Sequence, residues 1–232
     1  MTASNGQLII AADDYGIRET SKPILALAQR GKLDRVGVLV HFTSPDEAAA
    51  LLETGVQIDI HLELIDFLKS GDQHARAGVF GRGFNFVWRY AFSRETARQV
   101  EEQWESQVLR FHELFGRFPD GFNSHEHVHY FPVFFRVFMK LADRYHIPYI
   151  RFGTSGIFRG EQRGMVAGIL SVLRFRNLSL FKASGLHSSE WMTSFDWLAS
   201  PQPSSWRLPS GTVEVVVHPE RADEYQAILE HF

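Results

Sequence analysis

"QLIIAADDYG", residues 7–16, is an apolar run that ends in two adjacent acids, a tyrosine and a glycine. A short apolar run closed by turn-forming residues reads as a strand buried on both faces. Leu8 to Ala12 are that strand, with Asp13 and Asp14 at its C-terminal exit. The pattern returns in "DRVGVLVHF" (34–42), "VQIDIHLEL" (56–64), "DGFNSHEHVH" (120–129), "IPYIRFG" (147–153) and "GTVEVVVHPE" (211–220). Helical stretches separate these runs. "SPDEAAALLETG" (44–55) carries Ser44 as a plausible N-cap, Pro45 at the first position and Gly55 as a stop. In residues 93–116, Val100, Trp104, Val108, Phe111 and Phe115 recur at helical spacing between a Ser93 cap and a Gly116 stop. "ETSKPILALAQRGK" (19–32), "FPVFFRVFMKLADRYH" (131–146) and the C-terminus complete the helices. Strands alternating with helices predict parallel βα units, an α/β fold in one domain over 1–232.

Composition bounds the function. The 232 residues allow a substantial core, and 44% hydrophobic with 22% charged residues is ordinary globular composition. A formal net charge of -3 offers no global basic field for nucleic acid. With no cysteine, disulfides, thiolate metal sites and a cysteine nucleophile are excluded, which fits a reducing cytoplasm. "MTASNGQLII" lacks the basic start and long apolar run of a signal peptide, and no apolar run is long enough for a membrane span, so a cytoplasmic location is expected.

The polar residues fall at strand ends. Asp13 and Asp14 follow the first strand, His61 lies near the end of the third, and His125, Arg151 and His218 end later ones. In a barrel of parallel βα units all these ends face one rim, where active sites lie. Each residue also has a plainer reading: Asp13–Asp14 as a helix N-cap pair, His61 as a core histidine, Arg151 as a surface ion-pair partner, His218 as a loop residue. "SHEHVHY" (124–130) alternates three histidines, His125, His127 and His129, which an extended chain would present on one face. They read either as a metal-binding edge or as a solvated strand end. A catalytic divalent ion takes about three protein ligands. Asp14, His61 and His125 meet that count; Asp13 is then placed to take a proton from water, His218 to protonate a leaving nitrogen, and Arg151 to hold a carboxylate or orient the base.

"ADDYG", "DIHLEL", "NSHEHVHYFP", "IRFG" and "VVVHPE" occur in the order found in the YdjC-like carbohydrate deacetylases, a family that includes chitooligosaccharide and hopanoid-associated deacetylases, and the chain resembles it from residue 8 to about 220. The resemblance implies a distorted (β/α)-barrel of the glycoside hydrolase/deacetylase type. It implies removal of an acetyl group from an N-acetylated sugar with one divalent metal ion, magnesium or zinc, with manganese, cobalt or nickel as further options. On the matching motifs it makes Asp14, His61 and His125 metal ligands, Asp13 the base and His218 the acid. Tyr15, His127 and His129 become contacts of the substrate or supports of the ligands.

The sequence departs from that pattern at Asp59 (usually glycine), Asn123 (usually aspartate) and Glu220 (usually glycine), changes that bear on charge near the metal and on the last loop. A sugar-binding relative with little turnover and a metal-dependent phosphoester hydrolase stay open as alternatives. So do two readings of "GMVAGILSVLRFRNLSLFK" (164–182). It is a helix packed on the barrel or at a homodimer interface, or a peripheral membrane surface for a lipid-linked sugar built on Arg174, Arg176 and Lys182. The aromatic group Phe80 to Phe92 reads as a sugar-stacking lid or a packed insertion.

Overall fold

A computed structural model describes residues 6–17, 19–64, 94–159, 165–198, 200 and 202–232. Its strands are β1 (Gln7–Tyr15), β2 (Arg35–Val38), β3 (Gln57–Leu62), β4 (Gly121–Ser124), β5 (Tyr149–Ile150), β6 (Gly156–Ile157), β7 (Trp191–Ser194) and β8 (Thr212–Val217). They form one sheet in the order β5-β4-β3-β2-β1-β8-β7-β6, with every neighbouring pair parallel. The sheet curls into a half-barrel flanked by helices, with β5 and β6 at its edges. The β5 edge is covered: the Ile150 amide donates to the His187 carbonyl at 2.9 Å and the His187 amide to the Pro148 carbonyl at 3.0 Å. Backbone groups left bare there would invite pairing with another chain.

The helices are α1 (Ser21–Gln29), α2 (Pro45–Leu52), α3 (Arg94–Phe115), α4 (Pro132–Arg144), α5 (Met165–Ser184) and α6 (Ala222–His231). α2 starts as its sequence predicts: Ser44 Oγ accepts from the Glu47 amide, and the Glu47 carboxylate accepts from the Ser44 amide. Val100, Trp104, Val108, Phe111 and Phe115 of α3 are all buried, and Trp104 lies edge-on to Phe134 and Phe138 of α4. Ser93, residues 66–92 and the aromatic group from Phe80 to Phe92 lie outside the described residues.

The structure departs from the sequence pattern in three places. β6 and β7 have no apolar run to announce them: β7 reads WMTS, and its Thr193 and Ser194 are buried polar residues. The strand expected across 120–129 stops at Ser124 and is followed by a 3₁₀ turn, His125–Tyr130, in which Glu126 (φ 53°) and His127 (φ 55°) are left-handed. The three histidines therefore do not share a face. Arg174, which only the membrane-surface reading of 164–182 set on a basic outer face, is buried on the inner side of α5, where its guanidinium donates to the carbonyls of Gly153 and Thr154. α5 packs on the barrel through Ala167, Leu170, Arg174, Asn177 and Phe181, and exposes Met165, Val172 and Phe175. No described helix is long and apolar enough to cross a membrane.

Candidate functional site

The site begins with an irregularity in β1. Ala12 pairs with Val36 and Tyr15 with Val38, so β1 spends one residue more than β2 over this stretch. A bulge of this kind re-aims side chains. Asp14 takes up the slack at φ 69°, a left-handed conformation that aspartate tolerates better than most residues. The two adjacent carboxylates consequently point to different partners. Asp13 turns to Arg151, which donates from Nη1 to Oδ2 at 2.6 Å and from Nη2 to Oδ1 at 2.9 Å. Asp14 turns to two imidazoles: its Oδ1 lies 2.8 Å from His125 Nδ1 and 3.2 Å from His61 Nε2. Gly37 on β2 leaves room for this arrangement, because a Cβ there would stand 2.9 Å from Asp13 Oδ1.

Asp14, His61 and His125 each offer one ligand atom, and these atoms lie within 4.8 Å of one another. The donor set, one carboxylate oxygen and two imidazole nitrogens, suits a divalent ion. His61 is oriented from behind by Asn123, whose side chain meets its Nδ1 at 2.5 Å. Burial opposes charge on both members of the Asp14–His125 contact, but their mutual attraction wins. Asp14 is held well below the usual carboxylate range, and His125 is raised to about 9. Burial would likewise raise Asp13, yet the Arg151 guanidinium, helped by His61, brings it down to about 2.

Arg151 is itself pinned. Its Nε donates to Glu214 Oε1 at 2.6 Å, and Glu214 Oε2 accepts from the Tyr149 hydroxyl at 2.6 Å. One buried cation thus ties Asp13 of β1 and Glu214 of β8 to the residue that follows β5. His218, directly after β8, adds to the positive field on Asp13; its amide donates to Glu224 at 2.7 Å, and its buried Nδ1 has no partner among the described residues.

The remaining expected residues fall differently. His129 is fully buried and stacked on Phe138, with Nδ1 at 2.6 Å from Ser124 Oγ and Nε2 at 3.0 Å from the Arg151 carbonyl. The Arg151 carbonyl can only accept, so Nε2 carries a proton, while the Ser124 hydroxyl can serve either role at Nδ1; burial, with His127 beside it, holds the ring well below the usual histidine range, so it is neutral and Nδ1 accepts. It locks the 3₁₀ turn to β5 and has no surface for a substrate. His127 is pushed down to about 3 by burial and by Arg151; its Nδ1 has no partner among the described residues, and its ring lies 6.3 Å from Trp197. Tyr15 as a substrate contact is a correction: it is 0% exposed, and its hydroxyl donates to the Glu47 carbonyl at 2.8 Å. Asp59 does not add free charge beside the triad, because Arg35 donates to both its oxygens, at 2.8 and 2.5 Å.

Two acids escaped the sequence reading. Glu214 sits inside the β-branched run of β8, where an acid on a buried strand face was the available signal. Glu63 lies two residues after His61, on the same side of an extended chain. It is 2% exposed, its Oε2 has no partner among the described residues, and burial raises it to about 7 against the pull of His125 and His61.

Comparison with known proteins gives this geometry a context. A solved structure from Enterococcus faecalis, described as a cellobiose-phosphate cleavage protein, is 18% identical over 97% of this chain and 91% of its own, with a TM-score of 0.61. A family 4 carbohydrate esterase from Streptomyces lividans, solved with acetate, is 15% identical over 97% of this chain and 85% of its own, with a TM-score of 0.45. The first likeness speaks for the fold. The family described as YdjC-like protein matches residues 7–231, nearly the whole chain and every strand end discussed above; the chain belongs to the YdjC-like family.

Proposed function

We propose that this protein is a metal-dependent carbohydrate N-deacetylase, which hydrolyses the acetamido group of an N-acetylated sugar to acetate and a free amine. The observation that carries the reading is the division of labour between two adjacent carboxylates, Asp13 clamped by Arg151 and Asp14 facing two imidazoles. Asp14, His61 and His125 would hold the ion. Two nitrogens and one carboxylate oxygen suit zinc, manganese, cobalt or nickel better than magnesium, which prefers more oxygen. Such an ion, when bound, polarises a carbonyl and makes water acidic enough to attack at neutral pH.

The chain's own residues supply the rest. Amide hydrolysis forms a C–O bond, breaks the C–N bond and moves protons from water to nitrogen. Asp13 accepts the proton of the attacking water. Its ion pair with Arg151 keeps it anionic and fixes both its oxygens, at some expense of proton affinity. His218 donates a proton to the departing nitrogen, since an amine anion is too poor a leaving group; its place directly after β8 and its electrostatic influence on Asp13 support that role. Arg151, sealed at 1% exposure, is a positioning residue that acts through Asp13.

The test is acetate release from a panel of N-acetyl sugars, including short chitooligosaccharides and lipid-linked N-acetylglucosamine, with several divalent metals. Acetate and free amine in equal amounts are the expected products. Absence of acetate from the whole panel with metal bound would overturn the reading in favour of a binding protein. Phosphate release from sugar phosphates without acetate release would make the protein a phosphoester hydrolase.

A further inference from the structure

Asn123 is fully buried and lies in register with His61 on the neighbouring strand. Its amide meets the His61 nitrogen that faces away from Asp14: Nδ1 is on Asn123, while Nε2 is 3.2 Å from Asp14 Oδ1. An amide has two orientations related by a half-turn, with donor and acceptor exchanged. With Oδ1 toward His61 at 2.5 Å, the ring must donate from Nδ1, and in its neutral form, the form that can ligate a metal, Nε2 then presents a bare lone pair toward Asp14. This orientation sets Asn123 Nδ2 against the Arg151 guanidinium, donor against donor, and Oδ1 near the Ile60 carbonyl, acceptor against acceptor. After the half-turn all three contacts are satisfied: Nδ2 donates to His61 Nδ1 at 2.5 Å and to the Ile60 carbonyl at 3.3 Å, and Oδ1 accepts from Arg151 Nη2 at 3.2 Å. The His61 proton must then sit on Nε2, where the Asp14 carboxylate accepts it.

We propose that Asn123 is a latch on His61: in the metal-free protein its Nδ2 faces His61, and occupation of the Nε2 lone pair by a divalent cation turns the amide over. The proposal rests on the metal reading above and adds that filling the site breaks the Asn123–Arg151 bond. Arg151 Nη2 is also the nitrogen that holds Asp13 Oδ1 at 2.9 Å, so the same half-turn is felt at the Asp13 clamp. A metal-ligating imidazole needs an acceptor behind it, and loss of such a partner typically costs about 10–100-fold in affinity. Asn123 serves as that acceptor only in its mismatched orientation, so the latch makes this site bind metal more weakly than its ligand set allows.

Long-range ¹H–¹⁵N spectra of ¹⁵N-histidine-labelled protein test this, with His61 assigned by its loss in His61→Gln. In wild type, the His61 proton is expected on Nε2 without metal and on Nδ1 once zinc is bound. A metal-free His61 already protonated at Nδ1, or no exchange on zinc binding, would overturn the latch. In Asn123→Asp a carboxylate can only accept, from His61 and Arg151 alike. That variant is expected to show the Nδ1–H form before zinc is added and to bind zinc, in competition with a fluorescent chelator, at least about tenfold more tightly. Unchanged affinity together with an unchanged His61 would again overturn it. Should the variant fail to fold, the two wild-type spectra decide alone. Neither readout involves a sugar: tautomer exchange without acetate release counts against the deacetylase reading only, and failure of wild type to bind any zinc removes both.

Discussion

Arg151 and Asp13 form a two-point ion pair, at 2.6 and 2.9 Å, between side chains 1% and 2% exposed. The pair is part of a buried triad with Glu214, so one guanidinium neutralises two carboxylates, one from β1 and one from within β8. Removing one partner from such a group leaves uncompensated charge in the interior. Arg151→Ala should therefore destabilise the fold by about 3–5 kcal/mol, measurable by urea denaturation. A loss below about 1 kcal/mol, the range of an exposed pair, would mean that water reaches the triad.

The two aspartates should separate in solution. Asp13→Asn is expected to cut turnover by about 10²–10⁴-fold, as loss of a general base does, with metal content close to wild type. Asp14→Asn should lose both metal and turnover, because the triad is reduced to two imidazoles. Elemental analysis of the two purified variants checks the division, and equal metal loss in both would reject it.

His125 makes metal binding and metal-free stability run in opposite directions with pH. Its ordinary value of 6.5 is raised to about 9 in the fold, because the Asp14 carboxylate outweighs burial. The stabilisation from a raised histidine is fully present below about 6.5 and is lost as pH rises through about 9. A ligating imidazole must first shed that proton. Across pH 6.5 to 9, therefore, the metal-free protein should lose stability while zinc affinity rises, by up to about tenfold per pH unit. Thermal melts with chelator and zinc titrations over that window supply both curves; an affinity flat in pH would show that His125 is already neutral without metal.

His129 should prove structural. His129→Phe keeps a ring on Phe138 but leaves Ser124 Oγ with only the residue-129 amide and strands the Arg151 carbonyl. The expected result is a loss of about 1–3 kcal/mol with zinc binding retained. Zinc loss in a folded variant would bring His129 into the metal site.

His218→Ala should slow the chemical step by about 10²–10⁴-fold while sugar binding survives. Single-turnover acetate release and equilibrium sugar titration, measured together, separate the two effects. Equal loss in both would make His218 a binding residue.

The sequence by itself determined the alternation of buried strands and helices, and with it the rim. Continuous apolar runs such as Leu8–Ala12 and Val36–Val40 have no solvent-compatible face, so they had to become inner strands with their polar exits on one side. The capping box of Ser44 and Glu47 was equally local and equally legible. By contrast, β7 was illegible, because Thr193 and Ser194 are buried by neighbours that no local window contains. The direction of each rim side chain was also beyond local pattern. Alternation in "SHEHVHY" implied one shared face, yet left-handed Glu126 and His127 send His125 to Asp14 and His129 into the core. Asp13 and Asp14 are neighbours in sequence and opposites in partner because β1 bulges against β2. A bulge, a buried guanidinium between two acids and an amide behind an imidazole depend on which strands lie side by side. That adjacency is set by long-range burial, so only the tertiary structure decided it.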